Sequence, residues 1–245
     1  MLNRIKSFIY GVIAIHVLWL SGNYFVDERL IPSPFAVYAQ IDIVFLSQML
    51  LHIGHSLWRI FLGMSISIIL GLCLGILMAK SKFWKKLLNP LLYFLYPIPK
   101  MAFLPVVMIT IGLGSPTTVT MIVLIIAFQI MTNIRDGINN VPIENYHTLL
   151  ALGASNWRLL KDVTLPAALS PILSSTRVAL GTAIAILFIT ETQGTSYGMG
   201  FYIMNAFTRI NYIDMYAGIV TLSLVAFILF LLIDLLDAIL LKWTK

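Results

Sequence analysis

Charge is scarce in this sequence. Of 245 residues, 11% are Asp, Glu, Lys or Arg and 60% are hydrophobic, whereas soluble domains carry about 25% charged residues. So few charges cannot clothe a water-soluble surface of this size, which excludes an ordinary soluble domain. Cysteine is nearly absent: Cys73 stands alone, so no disulfide can form within the chain, and packing in its apolar stretch is its expected role. No Gly-x-x-x-x-Gly-Lys-Ser/Thr sequence occurs, so if ATP is consumed another chain must bind it. Metal ligands are equally thin. His52 and His55 are three apart with no further ligand spaced nearby, and no metal site is expected. Asp234 and Asp237 lack an enclosed cleft and read as a charged helix end near Lys242 rather than as an acid–base pair.

What is present is a series of long apolar runs. A membrane helix needs about 20 mostly apolar residues, and the runs near 8–25, 57–79, 88–113, 117–134, 172–191 and 214–241 meet that measure. The expected fold is all-α and polytopic, with about six spans. Residues 1–50 hold a first span and an outer segment, and 51–241 a transmembrane domain. The run from Phe8 to Trp19 has no Ala-x-Ala-like site after it, so a retained first span is expected rather than a removed signal. Pro97, Pro99 and Pro105 interrupt the third run, which reads as an interfacial helix ending near Tyr96 followed by a span.

The net charge of +6 is explained by where the basic residues fall. With the N-terminus in the cytoplasm, Arg4, Lys6, Lys80, Lys82, Lys85, Lys86, Arg135, Arg158, Lys161, Lys242 and Lys245 lie inside, and only Arg29 and Arg209 fall in outer loops. That asymmetry predicts a multi-pass protein of a cell membrane with both ends cytoplasmic. It leaves no need for nucleic acid as a partner.

The inner loop, 135–171, is too polar for a further span. It offers a helix over Ile143–Leu152, a break at Gly153 that only a residue without a side chain makes freely, and a second helical stretch over 156–163. Such an exposed helix-turn-helix suits docking into a groove of a cytoplasmic partner. The segment Leu149-Leu150-Ala151-Leu152-Gly153-Ala154-Ser155-Asn156-Trp157-Arg158, with Thr164-Leu165-Pro166-Ala167-Ala168-Leu169 after it, resembles the signature loop of binding-protein-dependent ABC importer permeases of type I. The Glu-Ala-Ala that usually opens that signature is replaced here by His147-Thr148-Leu149. The resemblance extends over roughly 30–241 and is nearest the nitrate, sulfonate, taurine and bicarbonate type. Leu30-Ile31-Pro32-Ser33-Pro34, His55-Ser56-Leu57-Trp58-Arg59, Tyr96-Pro97-Ile98-Pro99-Lys100, Gly112-Leu113-Gly114, Arg177-Val178-Ala179-Leu180-Gly181, Thr190-Glu191 and Gly198-Met199-Gly200 carry it.

The resemblance implies a division of labour. This chain, not an enzyme itself, pairs with a second copy of itself and sits in lipid of a prokaryotic inner membrane. Two ATP-binding cassette subunits supply ATP and Mg chemistry, and an extracytoplasmic solute-binding protein delivers cargo. Pro142, His147, Leu150, Gly153, Ala154 and Ser155 would form the ATPase-coupling loop. The implied cargo is a small anion such as nitrate, bicarbonate or a sulfonate, with a vitamin precursor or other small organic solute as the alternative. An ion-coupled carrier or a membrane enzyme is the remaining reading, although no repeat between the two halves supports the former.

Polar residues at membrane depth face protein or a water-filled path. Lys100, Gln129, Asn133 and Glu191 are therefore the candidates for a translocation path, with lipid snorkelling for Lys100 and helix–helix hydrogen bonding for the others as competing roles. Gly63, Ser67, Gly71 and Gly75 are small and four apart, and so share a helix face suited to close helix packing.

Overall fold

The computed structural model describes residues 2–241, with the side chains of residues 2–5, 7 and 8 excepted. Lys242, Lys245 and the Arg4 side chain, counted above among the inner charges, lie outside the described residues. No strand occurs among those described. The helices in chain order are α1 (Leu2–Phe25), α2 (Pro34–Val44), α3 (Leu50–Lys80), α4 (Lys82–Leu95), α5 (Leu104–Ile111), α6 (Ser115–Asn139), α7 (Ile143–Ala151), α8 (Asn156–Leu159), α9 (Leu165–Gly194), α10 (Met199–Thr208) and α11 (Tyr212–Leu240). One π turn, Phe45–Met49, joins α2 to α3, and another, Leu160–Thr164, joins α8 to α9.

Four helical stretches are long and apolar enough to cross a membrane: Pro34–Lys80, Ser115–Asn139, Asn156–Gly194 and Tyr212–Leu240. A fifth arises if Lys82–Leu95 and Lys100–Ile111 count together, although they meet at 86°. Among the described residues these account for four or five of the about six spans expected. α1 contributes the apolar helical stretch Ile9–Phe25 among the residues whose side chains are described. The third expected span is broken where Pro97 and Pro99 remove two backbone donors. After the bend, the twelve residues Lys100–Ile111 rise only about 18 Å against a hydrocarbon core of about 30 Å. The segment expected as an outer loop is helical from Pro34 onward, where the Ser33 hydroxyl accepts the Ala36 N–H at 3.3 Å and Pro34 opens the first turn.

The chain divides into two compact units. The first comprises residues 1–55 and 197–225. Within it the Trp19 indole donates to the Pro32 carbonyl at 3.0 Å and Asn23 to the Ile31 carbonyl at 2.6 Å, so α1 holds the chain that enters α2. Gln40 on α2 donates to Asp214 on α11 at 2.6 Å, and Gly218 lets α11 lie against Ile203 and Tyr202 of α10.

The second unit comprises 56–196 and 226–245. Its core is an isoleucine ridge on α6: Ile122, Ile126, Ile130, Ile134 and Ile138 are each 4% exposed or less. One side of the ridge meets Ala179, Leu180, Ala183, Ile186 and Leu187 of α9 in one apolar cluster. The other side meets the small-residue stripe of α3. Gly63 lies against Ile122, Gly71 against Ile130 and Gly75 against Ile134, a constant register that requires α3 and α6 to run in the same direction. Ser67 is buried and its hydroxyl donates to the Gly63 carbonyl at 2.7 Å. Cys73, expected in packing, is exposed. Two residues turn a helix by about 200°, which carries Cys73 to the face opposite Gly71.

Candidate functional site

The coupling-loop candidates form a short exposed helix with a defined end. α7 begins after Pro142 and stops where Gly153 takes φ +77. There the Ala154 N–H donates to the Leu149 carbonyl at 3.0 Å and the Gly153 N–H to the Leu150 carbonyl at 2.9 Å, the paired bonds of a Schellman cap. Ser155 then starts α8 by accepting the Arg158 N–H at 3.4 Å. Ile143, His147 and Leu150 are spaced i, i+4, i+7 and all exposed, and Leu152 and Trp157 beside them are 77% and 70% exposed. Together they form an exposed patch of apolar side chains, the kind of surface from which interaction sites are built.

Glu191 is placed quite differently, at 0% exposure near the end of α9. The Arg59 guanidinium of α3 reaches it at 2.5 Å and the Ser56 hydroxyl at 2.9 Å, while Arg59 Nε donates to the Ser115 hydroxyl at 2.9 Å. One buried cluster thus ties α3 to α9 and to the start of α6. Ser56 and Arg59 enter the sequence reading only as part of the resemblance, and their cluster with Ser115 escapes it. The signal was available: a lone arginine and a lone glutamate, each toward one end of an apolar run, are each affordable in lipid only if they meet.

Gln129, Asn133 and Asp136 of α6 and Asn140 just past its end, spaced i, i+4, i+7 and i+11, form a polar stripe that lines a cavity of about 400 Å³ with Ser174 and Ser175 of α9. A larger groove, about 1230 Å³, shares Asn133 and Asp136 and runs past Lys85, Asn89, Tyr93 and Arg135. Arg135 donates to Asn89 at 2.9 Å and to Asp136 at 2.8 Å. Lys100 is half-buried just after the bend. Its Nζ lies 5.8 Å from the Tyr96 ring and 5.6 Å from the Phe128 ring, at the outer limit of cation–π attraction. Asp234 has its cation on α9: Arg177 reaches it at 2.6 Å.

In the first unit, a cavity of about 140 Å³ is lined by Gln48, His52, Asn205, Arg209, Asp214 and the Tyr202 ring, among others. The Tyr202 phenol is pushed up to about 12, first by burial and then by the nearby Asp214 charge, and stays neutral at physiological pH. His52 Nδ1 accepts the Gly198 N–H at 3.0 Å, and His55 stacks on Tyr197. Among the described residues no three His, Cys, Asp or Glu side chains gather as a metal site.

The family described as "binding-protein-dependent transport system inner membrane component" matches residues 71–245. The chain is 30% identical over 227 residues to the putative aliphatic sulfonates transport permease protein SsuC of Bacillus subtilis, covering 91% of this chain and 82% of that one. It is 30% identical over 178 residues to the taurine transport system permease protein TauC of Escherichia coli, covering 73% of this chain and 65% of that one, just under two thirds. To the formylaminopyrimidine transport permease protein ThiX of Halalkalibacterium halodurans it is 27% identical, covering 94% and 92%. Among solved structures, a chain of a bacterial alginate ABC transporter matches with a TM-score of 0.65 at 16% identity, over 96% of this chain and 95% of that one. A chain of the inward-facing MetNI methionine ABC transporter matches with a TM-score of 0.65 at 18% identity, over 76% and 93%. At these identities the two structures speak for the fold.

Proposed function

Because this chain belongs to the family of binding-protein-dependent transport system inner membrane components, we propose that it imports a small anion, a sulfonate, nitrate or bicarbonate, as the membrane permease of an ABC importer. ATP and Mg belong to two separate ATPase subunits, a second copy of the chain completes the pathway, and an extracytoplasmic binding protein delivers the solute. The observation that carries this reading is the exposed apolar face of α7 closed by the Gly153 cap, a shape suited to a groove in the ATPase. Both chain ends and α7 lie on the cytoplasmic side of a prokaryotic inner membrane, an orientation supported by the excess of Lys and Arg in the loops that share it.

The docking face comprises Pro142, His147, Leu150, Gly153, Ala154 and Ser155. Nothing lies within 4 Å of a Cβ built on Gly153, so Gly153→Val acts through backbone strain alone, about 1–2 kcal/mol for a side chain forced to positive φ. Co-purification of the ATPase with the tagged permease is expected to fall sharply in this variant, with ATP-driven uptake lost alongside it. Undiminished assembly and uptake would refute the docking role.

The path runs along Gln129 and Asn133 of α6, where polar side chains line both grooves, and past Lys100. Lys85 and Arg135 outnumber Asp136 on the larger groove, which favours an anion. Glu191, sealed by Arg59 and Ser56, holds helices together beside that path. Lys100→Met is expected to lower anion uptake roughly tenfold, the effect of removing one partly screened charge worth about 1.4 kcal/mol, at unchanged protein level. Unchanged uptake would leave Lys100 only an interfacial role. The relative named for formylaminopyrimidine transport favours a second cargo, an uncharged vitamin precursor. Binding measurements on the partner binding protein decide between the two.

A further inference from the structure

We propose that Tyr146 is the positioning residue through which motion of α7 reaches the spans, an inference that rests on the reading of α7 as the ATPase dock. Ile143, His147 and Leu150 of α7 are exposed, whereas Tyr146, which the i, i+3, i+4, i+7 spacing places beside them, is half-buried. Its ring lies beneath the Lys80 ammonium, with Nζ 3.7 Å from the ring centroid. Lys80 is the last residue of α3. The Tyr146 hydroxyl lies 3.4 Å from the Thr164 hydroxyl, and Thr164 is fully buried at the end of the π turn that opens α9. One side chain on a nine-residue helix therefore touches the ends of two long helices.

The neighbourhood is built to let that contact move something. A cavity of about 430 Å³, lined by Ile76, Lys80, Asn156, Leu159, Leu160 and Thr164, lies beside it, so the end of α3 and the α8 turn are not locked by close packing on that side. The Thr164 hydroxyl also donates to the Leu159 carbonyl at 3.3 Å, across the π turn. Single π turns are points where a helix departs from regular hydrogen bonding, often at functional sites. A displacement of α7 would pull on Lys80 through the ring and on the π turn through the hydroxyl. Of the two contacts the ring–ammonium one is the charged one, and it carries more of the load.

The test uses the complete transporter in proteoliposomes, with its ATPase and binding protein, and as cargo the first of taurine, nitrate or bicarbonate that the wild-type complex imports. Tyr146→Ala is expected to retain the ATPase through co-purification yet to lower uptake per ATP hydrolysed by about fivefold or more, the scale of one ring–cation contact. Tyr146→Phe keeps the ring and is expected to stay near wild type. Lys80→Met, a change outside α7, is expected to reproduce the loss, and Lys80→Arg to rescue it. Retained assembly with unchanged uptake per ATP in both Tyr146→Ala and Lys80→Met would overturn the proposal while leaving the docking reading intact. Loss of ATPase binding in Tyr146→Ala would also overturn it, by making Tyr146 part of the dock. A wild-type complex that never retains the ATPase would instead sink the docking reading itself.

Discussion

Arg59→Met is expected to be the most damaging single substitution outside the loop, costing about 3–5 kcal/mol of stability because it leaves the Glu191 carboxylate buried without its cation. Glu191 is 0% exposed, and the Ser56 hydroxyl donates to its carboxylate at 2.9 Å. One hydroxyl cannot replace a guanidinium in a medium where an isolated ion is so costly. The measurable consequence is a steep fall in the folded protein recovered from membranes and in its thermal midpoint in detergent. The complementary variant Arg59→Met with Glu191→Leu removes both charges at similar volume, and such replacement of a buried pair is often neutral. It is expected to recover most of the lost stability. An Arg59→Met protein as stable as wild type would show that the ion pair contributes nothing. If the double variant regains stability but not uptake, the pair does more than hold α3 to α9.

That pair also marks the limit of what the sequence discloses. Hydropathy places the apolar runs because lipid imposes length and composition on each helix separately: the runs at 117–134 and 172–191 fall within α6 and α9, and that at 214–241 overruns α11 by one residue. The end of α7 is legible for the same local reason, since a glycine just past a short amphipathic helical run is the residue that most readily takes the positive φ of a helix C-terminal cap. Arg59 and Glu191 are separated by 132 residues, and nothing local to either names the other. Likewise Pro97 and Pro99 signal an interruption, but the 86° turn is set by what the helices on either side pack against. Tyr146 looks like any aromatic on an amphipathic helix until the end of α3 brings Lys80 over its ring. The division of the chain at residues 55, 196 and 225 crosses the interiors of α3 and α11, where the sequence shows no linker.

Two glycines of the same helix are expected to respond to alanine with opposite signs. A Cβ on Gly54 meets nothing within 4 Å, so Gly54→Ala should stabilise the protein by about 0.5–1 kcal/mol, the ordinary gain from removing a glycine from a helix interior. A Cβ on Gly71 would lie 2.6 Å from Ile130 Cγ2 and 3.1 Å from the Met131 backbone nitrogen. Isoleucine is stiff at χ1 and cannot swing away, and the neighbouring backbone cannot yield at all without moving α6. Gly71→Ala should therefore cost about 1–3 kcal/mol by overpacking. Adding Ile130→Ala relieves the side-chain clash but not the approach to the backbone, and it opens a cavity of its own, so its rescue should be partial. Thermal midpoints of the four proteins in one detergent check the ordering. A Gly71→Ala protein as stable as Gly54→Ala would mean that α3 and α6 are not in the close parallel register that the Gly63, Gly71 and Gly75 contacts describe. The same separation of α3 from α6 would displace Lys80 from Tyr146, so uptake should fall with stability at Gly71 and remain intact at Gly54.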